Sequence, residues 1–194
     1  MNIVYISGMC SEKKFDCLFR AGIIKKLPQA QKYHRLLIEG IRVNTQERVL
    51  AISSYPINRR WTKKTTFRVE KEKVNEIEYI YPFFLNLPIV RQVCLTLSSF
   101  TYTFIFLLKN KNSVAICDIL AKSNAAGARF ACKLFGRKCI GIVTDVTGRT
   151  SGARRKTLPK YQQWILSLLE KITSGNLDNY DAYLFLTEAM NEVI

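Results

Sequence analysis

The feature that most limits what this chain can fold into is a short apolar run that opens directly into a polar, glycine-punctuated turn. Cys139-Ile140-Gly141-Ile142-Val143 carries no polar residue and is followed at once by Thr144-Asp145-Val146-Thr147-Gly148. A strand wetted on one face alternates polar with apolar residues. A run without alternation is covered on both faces, the condition of a strand inside a parallel sheet. Ligands of such sheets collect beyond the carboxyl ends of the strands, so Thr144 and Asp145 stand where a site is expected. The plainer reading of Asp145 is a solvated turn residue capping the next element.

Strand and helix patterns alternate along the whole chain. Asn2 to Gly8 reads as a first strand, Arg48 to Ser54 as a second, Ile77 to Tyr81 as a third and Ser113 to Asp118 as a fourth. The run from Cys139 is the fifth and Asp181 to Thr187 the sixth. Between them, Ala30 to Val43 places Tyr33, Leu36, Leu37 and Ile41 on a helical stripe. Pro88 suits the first turn of a long apolar helix reaching Leu108. Ala121 to Phe135 is rich in small residues and stops at Gly136, and Tyr161 to Ile172 and the segment from Thr187 complete the helices. This pattern predicts a single α/β domain over 1–194, a Rossmann-like doubly wound parallel sheet with right-handed crossovers.

Charge narrows the partners. The net charge is +15 and the pI near 9.7, which favours phosphates, nucleic acids or an acidic lipid surface. Six cysteines without C-x-x-C spacing and one histidine, His34, leave almost no ligands for zinc and suggest a reducing compartment. No metal or other cofactor is expected in these residues. Nothing at Met1 resembles a signal peptide, so a cytoplasmic location is expected. The uncharged stretch Val93 to Leu108 has sixteen residues, short of the roughly 20 that span a bilayer, and reads as a buried or half-buried helix.

Several chemistries find no motif. A dinucleotide fingerprint is missing after the first strand, where Ser7-Gly8-Met9-Cys10 stands, and Gly148 to Thr157 is no Walker loop. No G-x-S-x-G elbow is present, and His34 sits among core-type residues at helical spacing, as a structural histidine would. Two acids remain at strand exits, Asp118 and Asp145. Each could orient sugar hydroxyls or act as a base, or simply cap a helix.

Taken in order, Gly8, the strand leading to Ser53-Ser54-Tyr55-Pro56, the strand ending at Asp118, Gly141-Ile142-Val143-Thr144-Asp145 and Leu184-Phe185-Leu186-Thr187-Glu188-Ala189-Met190 resemble the amino-terminal half of a GT-B glycosyltransferase. The resemblance is to the retaining group called glycosyltransferase family 4, or group 1. It implies an acceptor-binding domain, with Asp145 as the catalytic-side residue and Gly8, Ser54, Tyr55, Asp118, Thr144 and Arg149 as acceptor contacts. The family's sugar-nucleotide site, with its paired glutamates, belongs to a carboxyl-terminal domain that these residues do not include. The isolated domain is therefore expected to transfer nothing. Members often carry His-Asp where this chain has Thr144-Asp145, and Gly-Gly where only Gly8 is available. The implied acceptor is a glycan or lipid-linked precursor in cell-surface polysaccharide synthesis.

The basic segments suggest where such a domain works. Arg59, Arg60, Trp61, Lys63 and Lys64 form one cluster and Arg154, Arg155 and Lys156 another. Either is an ordinary solvated face, or a contact for phosphates or for an anionic membrane at its inner surface. The rival reading is a basic nucleic-acid-binding module. Against it, the charge is spread over several loops, no nucleic-acid-binding motif is present, and no specific nucleic acid is expected as a partner.

Overall fold

The computed structural model describes residues 1–25, 28–57, 61–144, 167 and 179–186. Among them, β1 (Asn2–Ser7), β2 (Val49–Ser53), β5 (Ile77–Tyr81), β7 (Ser113–Asp118), β8 (Cys139–Val143) and β9 (Ala182–Phe185) are the six strands read from the sequence. All six are parallel members of one sheet. With β4 (Glu70–Val74) on the edge, the order is β4-β5-β2-β1-β7-β8-β9. Counted among the parallel strands alone, the third lies beside the second, the second beside the first, and the first beside the fourth. Chain direction across the sheet thus reverses between β1 and β7, an arrangement compatible with a Rossmann-like fold.

Burial on both faces explains the unalternating runs. Ile3 and Tyr5 of β1 join Val49 and Ala51 of β2 in one core cluster, under Ile38 of α2 (Pro28–Thr45). Val4 and Ile6 join Leu50 and Ile52 in the other, under α3 (Pro88–Lys109) and α4 (Lys122–Phe135). Each such aliphatic side chain contributes roughly 1.5–3 kcal/mol by leaving water. The small residues of α4 have a specific use. A Cβ on Gly127 would lie 2.2 Å from the Thr96 carbonyl oxygen, so only glycine lets α3 and α4 approach this closely.

Three elements were not legible beforehand. The helix α1 (Glu12–Arg20) begins at Ser11, whose Oγ accepts from the Lys14 N–H. Residues 70–74 form the antiparallel edge strand β4, joined to β5 through Asn75 and Glu76, both at positive φ. That backbone is the tight hairpin turn whose twist suits paired strands. The third element is a small antiparallel pair, β3 (Thr66–Phe67) with β6 (Phe84–Leu85). Helix α3 starts at Pro88 as expected and runs 22 residues. Of the expected helix at 161–172 only residue 167 is described, and the helix expected from Thr187 lies outside the described residues.

Candidate functional site

A cleft of about 760 Å³ opens at the carboxyl ends of β1 and β7, at the point where the sheet reverses direction. Its wall takes Gly8 after β1, Ser54 and Tyr55 after β2, Asp118 at the end of β7 and Thr144 after β8. Five of the acceptor contacts expected from the sequence are therefore brought to one place. The sixth, Arg149, and the expected catalytic residue Asp145 lie outside the described residues, as do Arg59, Arg60, Arg154, Arg155 and Lys156. Exposed Lys63 and Lys64 and half-buried Trp61 are described but do not border the cleft.

The floor is a chain of three side chains. Tyr5 Oη lies 2.6 Å from His34 Nδ1, and His34 Nε2 lies 3.3 Å from Asp118 Oδ2. His34 is 5% exposed and Asp118 is 6%. Burial, and next the Asp118 charge, push the Tyr5 phenol far above its ordinary pKa, so it keeps its proton. A neutral imidazole that accepts from the Tyr5 hydroxyl at Nδ1 carries its proton on Nε2, facing the carboxylate. Asp118 Oδ1 accepts from the Leu120 N–H at 2.9 Å. A carboxylate offers about four lone-pair positions. With two used to hold it, Asp118 retains acceptor capacity toward the cleft.

Donors stand opposite. α4 starts beside Asp118 with no side-chain cap among the described residues, so these leave the N–H groups of its first turn to a ligand's oxygens. Lys122 and Ser123 border the same space. Asn124 also lines it, buried, with Oδ1 lacking any partner among the described residues. From the far wall, Arg91 of α3 donates to the carbonyls of Ile57 at 2.6 Å and Tyr55 at 3.2 Å. Burial lowers its pKa from the ordinary arginine value. Gln31 of α2 fixes the remaining edge, donating to Gly8 O at 2.7 Å while its Oε1 accepts from Cys10 N at 2.8 Å.

The individual placements refine the expectations. Gly8 does not use a left-handed conformation: among the described glycines only Gly22 and Gly136 do. A Cβ at Gly8 would meet nothing nearer than Ser54 Oγ at 3.8 Å, so its absence simply leaves room in the cleft. Tyr55 borders the cleft but is 1% exposed, its ring stacked on Tyr81 at 4.7 Å and edge-on to Phe67. His34, read as structural, is buried and also borders the cleft. The spacing of α2 could not reveal this, because a histidine pointing at a strand exit and one pointing into the core occupy the same helical stripe. Among the described residues no group of three or more His, Cys, Asp and Glu is arranged to hold a metal ion.

The fold and cleft define an α/β protein with an open, mostly parallel seven-stranded sheet and its crevice at the topological switch point. No family model matches the chain, and no curated protein matches it.

Proposed function

We propose that the chain is the acceptor-side domain of a sugar-nucleotide-dependent, retaining GT-B glycosyltransferase acting on a glycan or lipid-linked precursor. The observation that carries this reading is Asp118, buried at the switch point yet held, among the described residues, only by the Leu120 N–H and the His34 ring. A carboxylate so placed accepts hydrogen bonds from vicinal hydroxyls, and the α4 first turn, Ser123 and Arg91 offer the complementary donors. A polyhydroxylated ligand suits both walls, and a pyrophosphate-linked one would also suit Lys122 and Arg91. The resemblance of Gly141 to Asp145 supports the same reading. The donor sugar nucleotide would be held by a second domain, with transfer in the cleft between the two. The working location in this reading is the cytoplasmic face of a membrane.

Isothermal titration of the chain with a panel of oligosaccharides, sugar nucleotides and nucleic acids tests the reading. Saturable glycan binding, lost in Asp118→Asn and without sugar transfer, is expected. Transfer by residues 1–194 alone would overturn it. So would binding confined to nucleic acid, steeply weakened by salt as phosphate contacts are.

A further inference from the structure

Helix α3 exposes an apolar stripe that the cleft does not use. Val90, Val93, Leu97, Ile105 and Leu108 are all exposed, Leu97 to 60% and Leu108 to 61%. With Thr101 they fall within an arc of about 120° at 3.6 residues per turn. From Val90 to Leu108, at 1.5 Å per residue, this stripe is roughly 27 Å long. It continues sideways: Phe104 meets Phe135 of α4 at 5.0 Å, and on α4 Phe130 and Leu134 are exposed as well. A contiguous apolar face of this length marks a contact surface.

Charge names the partner. Neither α3 nor α4 contains an aspartate or glutamate. At the end of the stripe farthest from the cleft stand Lys109, Lys111, Lys133 and Lys138, all exposed. None pairs with a carboxylate among the described residues. The turns carrying Lys111 and Lys138 share one edge of the sheet, where Asn112 O accepts from Asn2 N and Lys138 O from Ala115 N. An apolar stripe beside unpaired cations matches the interface of an anionic bilayer, acyl chains against the leucines and headgroups against the lysines.

We infer that the α3 face, continued on α4, lies flat on an anionic membrane surface. Length and composition alone would let α3 cross a bilayer. Its connections forbid this, because β5 before it and β7 after it belong to the same sheet, and Ser99 on its inner side donates to Asn124 O at 2.8 Å. The helix therefore rests on the surface. Arg91, Gln92 and Leu95 near its start line the cleft, so the cleft lies at the end of the stripe opposite the lysines. The inference does not depend on the glycosyltransferase reading. It moves the membrane contact from the 59–64 segment to a different face.

Flotation of the full chain with phosphatidylglycerol/phosphatidylcholine vesicles, against phosphatidylcholine alone, is the test. Binding to the anionic vesicles is expected, weakened at least tenfold in Leu97→Glu/Leu108→Glu, positions exposed enough to leave the circular dichroism unchanged. Lys109→Gln/Lys133→Gln is expected to remove the preference for anionic lipid, and Lys63→Gln/Lys64→Gln to leave binding within twofold. No binding by the parent chain would overturn the inference. So would binding lost only in the Lys63/Lys64 variant. A concentration-dependent dimer in sedimentation, abolished by Leu97→Glu/Leu108→Glu while vesicle binding persists, would assign the face to a second copy instead.

Discussion

His34 Nε2, carried by α2, lies 3.3 Å from the Asp118 carboxylate at the end of β7. The contact ties the first crossover helix to the strand on the far side of the sheet's reversal point. It links the hydrogen-bonded Tyr5–His34 pair to Asp118, whose Oδ1 accepts from the Leu120 N–H.

Replacing Asp118 by Asn keeps an oxygen for the Leu120 N–H but removes the charge. Hydrogen bonds to charged groups contribute about 1.5–3 kcal/mol. Glycan affinity is therefore expected to fall about 10- to 100-fold by calorimetry, and the melting temperature to fall as well, because the amide NH2 then faces the buried His34 Nε2 in place of an acceptor.

Tyr5→Phe acts one step further down. The substitution leaves Nδ1 of His34 buried without its donor, which costs about 1–3 kcal/mol. Chemical denaturation is expected to show this loss with an unchanged slope. The imidazole nitrogen shifts are expected to move as the tautomer is released.

Gly127→Ala tests the α3–α4 seat. The new methyl would lie 2.2 Å from Thr96 O and 2.8 Å from Phe100 N, both backbone atoms that cannot turn aside. Overpacking of this kind costs roughly 1–3 kcal/mol, here at the upper end. A fall in melting temperature on the order of 6–12 °C follows for a chain of this size.

Alkaline stability follows from the buried phenols. Burial raises Tyr5, Tyr55, Tyr79 and Tyr81 above the ordinary value of 10.0. The unfolded chain loses these protons near pH 10 while the folded chain retains them. Their contribution is full below that pH and is lost as pH rises beyond it. Tyrosinate absorbance from these four residues is expected to appear together with the loss of helical circular dichroism, not before it.

The six parallel strands were legible because burial on both faces writes itself into apolar runs such as Cys139 to Val143. Strand β4 was not legible. Glu70-Lys71-Glu72-Lys73 on a sheet edge is wetted and charged, as edge strands are when they resist pairing with other chains, and reads like a loop. Asp118 could be singled out by its position at a strand exit. Its partners could not, since the Tyr5–His34–Asp118 chain joins three elements remote in sequence, and only the sheet order brings them together. The apolar character of α3 was visible, but which of its faces stays uncovered depends on where Gly127 seats α4.

His34 is the only histidine, so its imidazole gives a single set of resonances beside the carboxylate on which the proposed site depends. Following that set by nuclear magnetic resonance during titration with an acceptor oligosaccharide is the most direct measurement. Saturable movement of the His34 ring signals, absent in Asp118→Asn, is the result the account predicts. Glycan binding that leaves the His34 ring unmoved, or movement produced only by nucleic acid, would contradict it.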